Sequence, residues 1–215
     1  NRMKNSAKKK SRGIIIIMAL LLVVPAAAVF TAQDDLPEFG DNTFKNCIFG
    51  PDMECDGESW SEEDSSGVSA YCGEVGAGAQ LIEPSVIYYQ NPQDALYDFQ
   101  NGKAVIEQTI SYYDSLSSAC VCDDNETCAL MESETGNMEA GCLYYYSNNK
   151  TVHYYAGEYV LLSGNYYAHF TLYGYDELMS RAQAEQYYAA AKACLKEIVL
   201  KDACQGVNIP VPEQA

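Results

Sequence analysis

An apolar run from Ile14 to Ala32, led in by six basic residues and no acid, constrains this chain before any fold is considered. Arg2, Lys4, Lys8, Lys9, Lys10 and Arg12 form a basic n-region. Ile14 to Val24 is strongly apolar, and Ala26-Ala27-Ala28 follows Pro25 with small-x-small spacing. That order is the layout of a secretory signal, with cleavage expected after Ala28 or Ala32. The rival expectation is a retained anchor, because the 19 residues from Ile14 to Ala32 make a helix of about 28 Å, long enough to span a bilayer core. Lys and Arg stay on the cytoplasmic side, so both readings place residues 33–215 outside the cytoplasm, secreted or anchored at the cell surface. A lipid anchor would need a cysteine directly after the run, and the first is Cys47. A pilin-like leader cut after Gly13 would carry Glu where Met18 stands.

Export sets the chemistry of the nine cysteines, Cys47, Cys55, Cys72, Cys120, Cys122, Cys128, Cys142, Cys194 and Cys204. In an oxidising space they read as a disulfide framework with one thiol left over. Cys120 and Cys122 are too close to bridge each other comfortably and are expected to pair outward, to Cys128 and Cys142 in either order. Cys194 with Cys204 would staple a helix end to its tail. Cys47, Cys55 and Cys72 would share one bridge and the odd thiol. A four-thiolate metal site at Cys120, Cys122, Cys128 and Cys142 matches no zinc-knuckle spacing. Asp123 and Asp124 would raise a thiol pKa at Cys120-Val121-Cys122, which argues against a redox pair. No cofactor is implied.

Beyond residue 32 the chain holds 7 Lys plus Arg against 30 Asp plus Glu. Such a surface repels nucleic acid and anionic lipid, because phosphate binding needs Lys and Arg. Membrane contact is expected only through residues 14–32, if they are not cleaved. The acidity suits a screening habitat or a cationic partner.

The pattern along the chain predicts an α+β fold, an antiparallel β-meander packed against two amphipathic helices and stabilised by disulfides. Residues 33–67 read as an acidic, loop-rich lead, 68–206 as a single globular domain and 207–215 as an extended tail. Gln80 to Tyr89 reads as a strand. A helix follows, capped by Asn91 and opened by Pro92, with Leu96, Phe99, Ile106, Ile110 and Tyr113 as its stripe and Asn101-Gly102 as a possible break. Ser117 to Glu139 reads as a cysteine-bearing acidic loop. Three strands, 142–147, 151–162 and 166–175, alternate with turn chemistry. A last helix begins near Ser180, whose spacing to Gln183 is that of a capping box.

Tyrosine carries the functional expectation: 18 residues, with tandem clusters in the strands. Neighbours on a strand point to opposite faces, so each cluster sends a ring outward. Tyr145, Tyr155 (or Tyr154), Tyr167, His169 and Tyr173 are the expected ligand-binding face, with Tyr166, Ala168, Phe170 and Leu172 turned to the core. Tyrosine offers a large contact area, a polar tip and little entropy loss. His153 and His169 could face each other near Glu158 as a metal pair. Asp123 to Glu134 alternates like a calcium loop, with Cys128 where the turn glycine belongs. No hydrolase signature is present. The sequence therefore points to an exported, non-enzymatic binding domain for a protein, glycan or cationic partner. The alternative is a membrane-anchored envelope or pilin-like filament subunit.

Overall fold

Two hairpin systems meet in one sheet. The computed structural model describes residues 36–47, 49, 53–74, 81–119, 126–148, 152–175 and 179–205. Seven strands, β1 (Met53–Ser61), β2 (Ser65–Glu74), β3 (Leu81–Tyr89), β4 (Glu126–Thr135), β5 (Glu139–Asn148), β6 (Val152–Ser163) and β7 (Tyr166–Tyr175), lie in the order β1-β2-β3-β7-β6-β5-β4. Every adjacent pair is antiparallel. Helix α1 (Pro92–Ala119) links β3 to β4, and α2 (Arg181–Gln205) follows β7. The fold is the expected α+β arrangement, with one helix on each face of the sheet.

Local chemistry explains the elements. Asn91 Oδ1 accepts from the Gln93 N–H at 3.1 Å and starts α1. Ser180 and Gln183 satisfy each other reciprocally at the start of α2: Gln183 Oε1 accepts from the Ser180 N–H at 2.9 Å, and Ser180 Oγ accepts from the Gln183 N–H at 3.3 Å. Gly164, at φ +60°, supplies the left-handed residue of the tight β6–β7 turn. Beside it, Asn165 Nδ2 donates to the carbonyls of Tyr89 and Gln90 at 2.6 and 2.9 Å, tying the end of β3 to the turn.

Strand alternation sorts the core. On the α2 side, Val68, Ile82, Val86, Leu143, Tyr159, Ala168, Phe170 and Leu172 pack beneath Ala184, Tyr188, Ala191 and Leu195. On the α1 side, Ala140, Cys142, Val160 and Tyr167 pack beneath Ala95, Phe99 and Ile106.

Several expectations change. The stretch read as a loop-rich lead contributes β1 and the start of β2. Phe44 and Phe49 from it are buried in the α2-side core, and Asp41 Oδ1 accepts from the N–H and hydroxyl of Ser59 at 2.9 and 2.6 Å. A Cβ on Gly57 would come within 2.3 Å of the Asp41 carbonyl oxygen, so that glycine lets the lead lie on β1. Acidic alternation had masked the strand: Glu54, Asp56 and Glu58 are exposed while Cys55 turns inward. Likewise the loop expected over 117–139 is α1 up to Ala119 and β4 from Glu126. Helix α1 runs through Asn101-Gly102 unbroken.

Among the described residues the disulfides are Cys47–Cys194 and Cys55–Cys72. The first replaces the expected Cys194–Cys204 staple: α2 runs to Gln205, so Cys204 lies on the same helix as Cys194 and about 15 Å further along it, while Cys194 packs in the α2-side core. The second links directly opposed residues of β1 and β2. Cys142 forms no bridge; it is sealed beneath α1, and burial pushes its thiol up to about 12. Cys120 and Cys122 lie outside the described residues, as do the export segment and the 207–215 tail. Among the described residues no helix is long and apolar enough to cross a membrane.

Candidate functional site

Helix α1 is the element that defines the site, because it covers only part of its face. On β7 the residues turned toward α1 are Tyr167, His169, Thr171, Tyr173 and Tyr175. Tyr167 is 9% exposed, whereas Tyr173 and Tyr175 are 36% and 41% exposed. The cover ends between His169 and Thr171. Past that line lies a row of rings: Tyr146 to Tyr154 at 5.3 Å between centroids, Tyr154 to Tyr173 at 5.0 Å, and Tyr173 to Tyr175 at 5.3 Å. These separations are those of favourable aromatic pairs. Tyr113 of α1 walls one side, stacked on Tyr144 at 4.2 Å and hydrogen-bonded to Tyr154. Burial and the hydrogen bond to Tyr175 push Tyr173 up to about 12, so its hydroxyl is neutral at physiological pH.

Beside the rings runs a row of carboxylates. Register puts Asp56 of β1 opposite Tyr71 of β2, Glu83 of β3 opposite Thr171 of β7, and Thr171 opposite Glu158 of β6. Tyr71 and Glu83 flank Cys72 and Ile82, which turn to the α2 side, so both stand on the α1 face. Asp56, Tyr71, Glu83 and Thr171 are exposed. Burial raises the pKa of Glu158 above the usual carboxylate value. Four of the described cations are engaged elsewhere: Lys103 with Glu107 at 3.7 Å, Arg181 with Glu185 at 2.9 Å, Lys192 with Glu134, and Lys196 with Glu139 at 2.5 Å. Among the described residues no Lys or Arg pairs with Asp56, Glu83 or Glu158.

The expected site residues divide between the faces. Tyr167, His169 and Tyr173 share one, as alternation requires, but α1 buries the first two. Burial lowers the pKa of His169, and its Nδ1 meets no hydrogen-bond partner among the described residues. Tyr145 and Tyr155 stand on the α2 side, with rings 4.9 Å apart. The register turns Tyr146 and Tyr154 to the α1 side in their place. His153 is on the α2 side and contacts buried Ser147, with Nδ1 2.5 Å from Oγ. The two histidines therefore cannot form one metal pair. Among the described residues no group of three His, Cys, Asp or Glu is placed to hold a metal ion. Of the calcium-loop candidates, Asp123 and Asn125 lie outside the described residues, and Glu134 pairs with Lys192. Sequence reasoning missed Tyr71, Tyr175, Asp56 and Glu83. Glu83 and Tyr175 carried a signal, by alternation within the expected strands 80–89 and 166–175; Asp56 and Tyr71 did not, because no strand was expected at either.

Cavities lined by described residues include ones of about 210, 250 and 240 Å³.

No protein family matches the chain, and no curated protein sequence does. Among solved structures, the extracellular domain of PknH from Mycobacterium tuberculosis resembles it with a TM-score of 0.41 and 7% identity, over 77% of this chain and 93% of that one. A likeness at that level carries no argument about function.

Proposed function

We propose that residues 33–215 act outside the cytoplasm as a non-enzymatic binding domain, with the uncovered part of the α1-side sheet face as the recognition surface. The observation that carries this reading is the ring row Tyr146-Tyr154-Tyr173-Tyr175, which continues past the edge of α1 into solvent. Rings needed only for packing would sit under the helix, as Tyr167 does. Tyrosines on a rigid sheet give contact area at small entropic cost. The basic-apolar leader and the two disulfides support an oxidising, extracytoplasmic location.

The test is tyrosine-ring NMR on the full chain in neutral detergent, titrated with a panel of glycans, basic peptides and surface proteins. A true ligand shifts Tyr154, Tyr173 and Tyr175 and loses affinity in Tyr173→Ala/Tyr175→Ala. It keeps its affinity in Tyr145→Ala, on the far face. Binding that ignores the double substitution overturns the assignment. Intact mass of the native protein decides between a released domain and one held by residues 14–32.

A further inference from the structure

We infer that the occupant of this face is an extended basic polypeptide segment carrying Lys or Arg at every third residue. The inference rests on the binding face proposed above and names its partner.

Charge selects the sign. Asp56 and Glu83 are exposed, Glu158 borders the same surface, and no described cation pairs with any of them. The exported part offers 30 acids to 7 bases, so an anionic glycan or a nucleic acid would be repelled at long range.

Spacing selects the conformation. Asp56, Glu83 and Glu158 stand on β1, β3 and β6, and the order β1-β2-β3-β7-β6 leaves one strand between successive carboxylates. With strands about 4.8 Å apart, the acids repeat every ~9.6 Å. A polyproline II helix places residues i and i+3 on one side at about 9.3 Å, which keeps three cations over three acids. A β-strand puts same-side residues about 6.7 Å apart, and two steps overshoot. An α-helix reaches about 10.8 Å in two turns and drifts by more than 2 Å across the row.

Aromatics supply the rest. Tyr71 stands between Asp56 and Glu83, and Tyr173, with the Tyr154 ring 5.0 Å from its own, is the next residue on the Thr171 side of β7. Aromatic-lined surfaces are the usual platform for polyproline II segments. Tyrosine faces also accept ammonium groups and the methylene stems that carry them.

The experiment is a calorimetric titration of the full chain in neutral detergent at low and at physiological salt. One nine-residue peptide carries Lys at positions 1, 4 and 7 among Pro and Ala; its isomer carries the same lysines contiguously. The spaced peptide is expected to bind at least about tenfold tighter than its isomer, a difference of about 1.4 kcal/mol. It is expected to lose that advantage in Asp56→Asn/Glu83→Gln, whose isosteric, exposed changes leave the melting temperature near that of the parent. Equal affinity for both peptides, or a charge-neutral variant that binds unchanged, overturns the inference. If neither peptide binds while another member of the NMR panel shifts Tyr173, the basic occupant is wrong and the binding face stands. If nothing shifts the rings, both fall.

Discussion

Tyr159, in the centre of β6, donates a 2.6 Å hydrogen bond to Oε2 of Glu139, the carboxylate that also receives Lys196 from α2. Lys192 and Lys196 lie over the Tyr159 ring, 5.3 and 5.9 Å from its centroid. Two of the scarce cations of this acidic domain thus clamp α2 to the sheet. Tyr159 is fully buried, so Tyr159→Phe removes a hydroxyl that water cannot replace. The expected loss is about 1–2 kcal/mol, because hydrogen bonds to charged groups sit at the upper end of the usual range. For a domain of this size that lowers the melting temperature by roughly 2–8 °C. Lys196 and Tyr159 hold the Glu139 carboxyl below its ordinary value of 4.5. A lowered folded pKa contributes stability above the unfolded pKa, and that stability is lost as pH falls through the folded one. The parent's advantage over Glu139→Gln should therefore shrink below pH 4.5, as read by thermal melts across pH.

Gly102 is where α1 sits down on the sheet. A Cβ there would lie 2.8 Å from Val160 Cγ1 and 3.0 Å from the Tyr167 hydroxyl. Helix propensity alone favours Gly102→Ala by about 1 kcal/mol. Crowding in a packed core costs about 1–3 kcal/mol. The contacts are with a branched side chain held in a strand, so crowding should win and the variant should melt lower. A variant that melts higher than the parent would show that α1 can lift freely at this point.

The same glycine shows where the sequence was and was not legible. Asn101-Gly102 reads as a break by local chemistry, yet here the glycine answers a tertiary demand that no single-chain pattern announces. The β5-β6-β7 meander, the Asn91 cap and the Ser180–Gln183 box were legible because each is set by residues a few positions apart. Strands β1 and β4 were hidden by their acids, since edge strands carry charge that looks like loop. The tyrosine face was half legible. Alternation fixed which residues of β7 share a side, but the choice between Tyr154 and Tyr155 depends on pairing register. That α1 buries Tyr167 and His169 while leaving Tyr173 open depends on where a helix crosses the sheet, which periodicity does not encode.

The two disulfides should differ in value. Cys47–Cys194 closes a separation of 147 residues and Cys55–Cys72 one of 17. In the chain-entropy account these correspond to about 5 and about 3 kcal/mol. Cys47→Ser/Cys194→Ser should therefore lower the denaturation midpoint further than Cys55→Ser/Cys72→Ser. It should also free the buried Phe44 and Phe49 from the α2-side core, seen as faster amide exchange in the lead and in β1. The opposite ranking would mean that the reduced chain retains the lead-to-α2 contact.

Glu158 is the acid whose surroundings oppose its charge. It sits on β6 between Cys142 and Thr171 in the register, half-buried beside the open face, and burial raises its pKa above 4.5. A raised folded pKa in a carboxyl costs stability above the folded pKa, and that cost disappears below the unfolded one. Glu158→Gln keeps the shape and removes the charge, so it should raise the melting temperature at pH 7 and lose that gain as pH falls through the raised value. The position is not free to change, however, if the face binds cations. The same substitution should weaken the Lys-spaced peptide while it stabilises the fold. Opposite signs for stability and binding at one residue are what a binding acid predicts and a packing residue does not. Melts at pH 7 and pH 4 beside a titration at pH 7 measure both signs, and a Glu158→Gln variant that melts lower than the parent at pH 7 would contradict the desolvation account.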